Sequence, residues 1–226
     1  MTKHLKDRIP PGQFLTEKFP VLHAGDVPNV DLAAWNFKIS GLVEKEIILD
    51  WNRFLALPQS RILCDIHCVT TWSRLDNVWD GVLFRDLMKL ANVSPAAKFV
   101  LIHAEEGWTT NLPLEDLLGD HVLFAHSHDG KPLTPQHGWP LRLVVPHLYF
   151  WKSAKWVRGI EFLDHDVPGF WEERGYHLYA DPWTEQRFRD DPEWYDTGVN
   201  SEEYYRTIKA RVREEMRRRK NSQPAE

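Results

Sequence analysis

Only two cysteines, Cys64 and Cys68, occur in 226 residues, too few for a disulfide-braced secreted scaffold. No stretch approaches the roughly 18 uninterrupted apolar residues that a membrane-spanning helix requires. Positive charge is not in excess: 28 Lys and Arg against 33 Asp and Glu leave a net charge of −5, which disfavours binding of nucleic acid through bulk electrostatics. Internal repeats and low-complexity tracts are missing. The first residues, Met1 to Pro11, hold no apolar signal core and no twin arginine, so a cytoplasmic location is expected. Aromatic surface is plentiful. With 11 Trp, 11 Phe and 6 Tyr the chain can bury a sizeable core, and disorder is excluded as the reading of the whole.

Residues 1–33 are punctuated by Pro, Gly and charge and read as an extended arm. Trp35, Phe37 and Ile39 alternate with Asn36, Lys38 and Ser40, the period of a half-buried strand that ends at Gly41 near a second strand at Ile47–Leu49. Asp50 suits the N-cap of a short helix that Pro58 stops. The β-branched run 61–71 predicts a strand. Trp79-Asp80-Gly81 reads as a turn, and Phe84, Leu87, Met88 and Ala91 follow helical spacing up to Asn92. Further strands are expected at 99–102, 121–125, 141–145 and 156–163. A short helix between the first two would have Pro113 in its first turn and Gly119 past its end, and Asp129-Gly130 marks a turn. Tyr204, Ile208, Val212 and Met216 recur every fourth residue in a basic segment, predicting a C-terminal helix whose basic end could dock a partner, though solvated packing explains it more simply. Many short strands with few helices indicate an α+β fold.

Cys64 and Cys68 invite a zinc reading with His67. In a strand, however, the two thiols share a face about 13 Å apart at ~3.3 Å per residue, too far for one tetrahedral ion or a disulfide, and His67 points the other way. Cys64 then reads as a buried small hydrophobe. Cys68 lies where the strand runs into a polar loop, within reach of a metal or substrate. His121, His126 and His128 cluster around a strand and turn, and surface histidines explain them as well as a metal site does.

The segment His67-Cys68-Val69-Thr70-Thr71-Trp72-Ser73 resembles the metal-ligand segment of the sulfite oxidase superfamily of molybdopterin enzymes, and looks nearest to the bacterial protein-methionine-sulfoxide reductase catalytic subunits. Four further stretches fall in register: Trp79–Val82, His137–Pro146, Trp151–Trp156 and Pro168–Tyr176. The resemblance implies a sulfite-oxidase-type molybdopterin-binding domain of mixed sheets and short helices over residues 1–188, followed by a charged helical extension over 189–226. It implies molybdenum bound by one molybdopterin, with Cys68 as the protein thiolate, a soft ligand that suits a metal in high oxidation states. Arg142, Lys152 and Lys155 match or adjoin positions that hold the cofactor and its phosphate, with Ser153 and Ala154 in the same loop. His103 and His137 stand at cofactor-contact positions where relatives often carry Thr and Asn, and His23 matches an N-terminal contact more loosely. Pro168–Tyr176 either seals the core or lines the funnel to the metal.

The expected activity is two-electron oxygen-atom transfer, with reduction of a small S- or N-oxide favoured over sulfite oxidation, because the paired arginines that hold sulfite are missing after Cys68. A non-enzymatic module that only binds pterin or a partner is the reading from a different class. No heme- or flavin-binding segment is evident, so the expected partners are a small-molecule substrate and an electron carrier, without nucleic acid or a membrane span.

Overall fold

The computed structural model describes residues 7–22 and 25–189; His23 and the expected C-terminal helix fall outside these residues. Two sheets stack. One has six strands: β1 (Phe14–Leu15), β4 (Ser60–His67), β5 (Trp72–Leu83), β8 (Leu123–His128), β9 (Lys131–Pro132) and β10 (Arg142–Val144). The other has five, in the order β3 (Ile47–Asp50), β2 (Asn36–Gly41), β11 (Val157–Leu163), β6 (Phe99–Ala104) and β7 (Thr109–Pro113). Three short helices, α1 (Trp51–Leu55), α2 (Phe84–Ala91) and α3 (Leu114–Leu117), connect them, and no described helix is long and apolar enough to cross a membrane.

Alternation explains how the layers meet. Phe37 and Ile39 of β2, Val100 and Ile102 of β6, and Ile160 and Phe162 of β11 pack against Val82, Phe124 and Leu143 of the six-stranded sheet. The opposite face of that sheet carries Ile62, Ile66, Trp79, Leu123, Ala125 and Val144, covered by Phe19, Trp139, Phe150, Trp151 and Trp171. This sheet is therefore buried on both sides where β8 and β10 pair, which is why Leu123-Phe124-Ala125 and Leu143-Val144 are consecutive apolar residues rather than alternating ones.

The caps follow expectation. The Asp50 side chain accepts a hydrogen bond from the Arg53 amide at the start of α1, and Asn92 closes α2 in the left-handed region. Asp129 and Gly130, both with positive φ, turn β8 into β9. Trp79-Asp80-Gly81 corrects the sequence reading: it is no turn but lies inside the 12-residue strand β5. A Cβ on Gly81 would sit 2.0 Å from the Phe124 carbonyl oxygen, so the glycine permits close approach of β8 beside the bulge between Asp80 and Gly81.

Candidate cofactor site

β4 ends at His67, and Cys68 opens the loop to β5. The Cys68 amide donates to the Trp72 carbonyl at 2.8 Å and the Thr71 amide to the Cys68 carbonyl at 3.0 Å, while Thr71, a β-branched residue, is held at φ +74°. Such a conformation costs about 1–3 kcal/mol and persists only when its surroundings over-determine it. Three hydrogen bonds from two distant segments do so. The Gln13 side chain donates to the Cys68 carbonyl (3.2 Å), Arg187 to the Val69 carbonyl (2.6 Å) and the Phe14 amide to the Thr71 carbonyl (2.9 Å). The expected N-terminal arm is thus pinned, its Phe14–Leu15 pairing in parallel with Trp72–Ser73 and its Arg8 bridging Asp65 and Asp76.

Cys68 is 8% exposed, with its Sγ 3.2 Å from the Thr70 hydroxyl. Burial pushes its thiol pKa up, opposed by the Thr70 hydroxyl and amide and by the charge of Arg187. A coordinating metal cation removes that penalty by deprotonating the thiol. Cys64 is a free thiol whose pKa is raised by burial to about 12. His67 is hydrogen-bonded through Nδ1 to the Ser73 hydroxyl and, pushed by burial down to about 4, is neutral at pH 7.

Arg142 begins β10 with its guanidinium buried, 4.2 Å from the Phe150 ring centroid and 5.5 Å from that of Trp79. It donates through Nη1 to the His137 carbonyl and through Nη2 to the Ser153 carbonyl, both at 2.9 Å, while its buried Nε–H has no acceptor among the described residues. Lys155 reaches the carbonyls of Leu22 (3.1 Å) and Gln136 (3.0 Å). His137 stacks on Phe19 at 4.2 Å, accepts from the Thr134 hydroxyl, and donates through Nε2 to the Phe19 carbonyl. Gly138, at φ +106°, lets the loop pass against the stems of both Lys155 and Arg142.

Among the described residues, these cations have no carboxylate in hydrogen-bonding contact. Burial lowers the pKa of Arg142 to about 9; burial, then repulsion from Arg142, lowers that of Lys155 to about 7. Burial also lowers His137, with Arg142 and Lys155 adding to the effect despite the stabilising Phe19 carbonyl. Cations without a carboxylate, with the buried Arg142 Nε–H left over, form a setting that an anion can neutralise. Phe19, Trp79 and Phe150, which surround Arg142, belong to the same apolar cluster as Cys68. Ser153 and Ala154 support the cluster from behind: the Ser153 hydroxyl accepts from the Val145 amide and the Ala154 carbonyl from the Leu143 amide.

Lys152 departs from the sequence reading. Its ammonium lies 2.6 Å from Glu172 Oε1 and donates at 2.9 Å to both the backbone carbonyl and the side-chain oxygen of Asn111. All three of its N–H groups are committed inside the protein, so it is a structural cation with none to offer a phosphate. Glu172 also accepts from Thr110 and Trp151, so in the segment 168–176 this carboxylate serves packing. His103 bonds to Glu161 (2.9 Å), on the face of β6 opposite the core residues Val100 and Ile102, rather than to Cys68 or the cation cluster. The three other histidines do not converge: His121 packs on His147, His126 bonds to Gln59, and His128 bonds to Asn77.

Residues 24–171 match the family described as the oxidoreductase molybdopterin binding domain. The chain belongs to that family. It is an enzyme domain, and its cofactor is molybdopterin, a pterin phosphate whose dithiolene carries molybdenum. The chain is 55% identical to an uncharacterized oxidoreductase, YuiH, of Bacillus subtilis over 81% of its own length and 93% of that protein's. It is 30% identical to the protein-methionine-sulfoxide reductase catalytic subunit MsrP of Gluconobacter oxydans, covering 71% of this chain but only 57% of that longer one. The crystal structure of the sulfane dehydrogenase SoxCD from Paracoccus pantotrophus shares the fold at TM-score 0.58 and 23% identity, over 62% of this chain and 41% of the other. The mixed-sheet molybdopterin-binding fold is therefore established.

Gln13 and Arg187, which hold the Cys68 loop, and Asn111 and Glu172, which hold Lys152 inside the fold, were not legible in the sequence. Each acts through a contact with a residue 55, 118, 41 or 62 positions away, and no local spacing encodes that.

Proposed function

We propose that this domain reduces a small S- or N-oxide by two-electron oxygen-atom transfer, with Cys68 as the protein ligand to molybdenum, Arg142 and Lys155 holding the pterin phosphate, and His137 bracing them against the Phe19 arm. The observation that carries this reading is the pair of buried Arg142 and half-buried Lys155 without a carboxylate in contact, Arg142 being packed into the same apolar cluster as the thiol. When bound, molybdenum supplies reversible two-electron redox chemistry at an exchangeable oxygen. In the net reaction a sulfoxide takes up two electrons and two protons to give the thioether and water, the electrons coming from a separate carrier. The chain's own residues bind and orient. Cys68 presents its sulfur from a loop clamped on three carbonyls, and Thr70 fixes the direction of that sulfur. Arg142 approaches the phosphate with charge-assisted N–H bonds while Phe150 and Trp79 keep water from its face. His137, as the Nε2–H tautomer, keeps the Phe19 arm against the cluster.

The test is to purify wild type and Cys68→Ser from a host that makes the cofactor, then assay molybdenum and turnover with sulfoxides, N-oxides and sulfite. Wild type is expected to hold molybdenum at chain stoichiometry and to reduce an oxide. Changes outside the ligand sphere of metal sites cost about 10–100-fold, and loss of the ligand itself is expected to cost more. Turnover of sulfite alone, or unchanged activity in Cys68→Ser, refutes the proposal.

A further inference from the structure

Beyond the residues matched by the family, the chain turns back over the Cys68 loop. Tyr176 bridges Phe188, the His177 amide donates to the Arg187 carbonyl (3.2 Å), and the Arg189 amide donates to the Gly175 carbonyl (2.9 Å). The Tyr149 amide anchors this strap at the Ala180 carbonyl (2.8 Å), and the Trp183 ring lies edge-on to His67 at 6.2 Å. From the strap, Arg187 enters the interior with 0% exposure. Its Nη1 donates to the Val69 carbonyl at 2.6 Å, its Nη2 lies 3.3 Å from Glu185 Oε1, and its guanidinium stands 4.7 Å from the centre of the Tyr149 ring.

Complete burial of an arginine is costly unless it is paired and hydrogen-bonded, as Arg187 is with Glu185 and the Val69 carbonyl. Here the carbonyl it grips belongs to the residue after Cys68, in the loop that also holds Thr71 at positive φ. Glu185, equally buried, pairs with the same guanidinium, so what reaches the Cys68 loop from the strap is the hydrogen bond to Val69.

We propose that Arg187 is a positioning residue for the metal centre: through the Val69 carbonyl it fixes the loop that presents Cys68. It would thereby set both how firmly the metal is held and the potential at which the metal changes oxidation state. This role rests on Cys68 being the ligand. Loosening that loop should alter the geometry at the sulfur, and with it the metal's spectrum and midpoint potential.

Variants of the full chain, loaded in a cofactor-competent host, test the grip on Val69, each neutral one made with Glu185→Gln so that no carboxylate is left buried without its cation. Arg187→Gln keeps a donor for the Val69 carbonyl, and Arg187→Met removes it. Molybdenum content, the paramagnetic resonance spectrum of the half-reduced metal and its midpoint potential are read alongside Cys68→Ser. The expected result is an altered spectrum, a shifted potential and less metal in Arg187→Met, with Arg187→Gln nearer to wild type. If Arg187→Met does not fold, Arg187→Lys, which is shorter and lacks the fork that holds both Val69 and Glu185, takes its place. An unchanged spectrum and potential in Arg187→Met or its replacement, beside a shifted spectrum in Cys68→Ser, overturns the positioning role alone. A molybdenum signature that Cys68→Ser leaves unchanged overturns the ligand assignment, and the positioning role with it.

Discussion

Lys152 and Lys155 lie three residues apart in one motif, and their surroundings give them opposite roles. Lys152 has a carboxylate at 2.6 Å and an acceptor for every N–H. Lys155 has two backbone carbonyls, a neighbouring guanidinium and no carboxylate in contact among the described residues. A buried cation that is fully paired belongs to the fold. One that lacks a carboxylate in contact, as half-buried Lys155 does, is the one we assign to the phosphate. The difference lies in what surrounds each ammonium, and the two lysines can be exchanged in no other sense than charge.

The contrast breaks most sharply at Lys152. Replacing it with Met leaves Glu172 buried without its cation, and removal of one partner from a buried pair costs about 3–5 kcal/mol. Thermal unfolding of the cofactor-free Lys152→Met protein should show this loss, and the double variant Lys152→Met with Glu172→Leu should recover most of it. Equal melting of the single variant and wild type would mean that the pair is not structural.

Lys155→Met should do the reverse. Loss of a charge-assisted contact of about 1.5–3 kcal/mol predicts a roughly 10–100-fold weaker hold on the cofactor, read as pterin and molybdenum retained after dialysis. The cofactor-free Lys155→Met protein should unfold at or above the wild-type temperature at pH 7, because a poorly compensated charge has gone.

The smallest effect is one of pH. Folding lowers the pKa of Lys155 from 10.5 to about 7. Between those values the unfolded chain holds the proton and the folded chain has released it, so the stability contributed by this group rises with pH. Below about pH 7 both states are protonated and the penalty is fully present. Cofactor-free wild type should therefore gain stability from pH 7 to pH 9 relative to Lys155→Met, and the bound phosphate should abolish the difference by raising the pKa. A parallel pH dependence in the two proteins would place the lysine in solvent.

Much of the scaffold was legible because its signals are local. The alternation at Trp35–Ile39, the cap at Asp50, the helix from Phe84 to Ala91 and the Asp129-Gly130 turn each depend on neighbours within a few residues. Trp79-Asp80-Gly81 was misread for the converse reason. Its glycine answers to the Phe124 backbone 43 positions away, a contact that no window across the turn-like tripeptide contains. The site divides in the same way. Cys68, Arg142 and Lys155 stand in recognisable motifs, whereas Lys152 stands in the same motif and does other work.

The order of residues alone determined the alternating and helical periods, the aromatic supply for a doubly covered sheet, and the thiol at the end of a β-branched run. These are properties of short stretches of chain, set by backbone period and side-chain type. Only the tertiary structure decided which buried cation met a carboxylate, which N–H was left over, and that Arg187 returned to hold the carbonyl beside Cys68. Pairing of charges and strain in a loop depend on distances between segments remote in sequence, and those distances exist only once the sheets have packed.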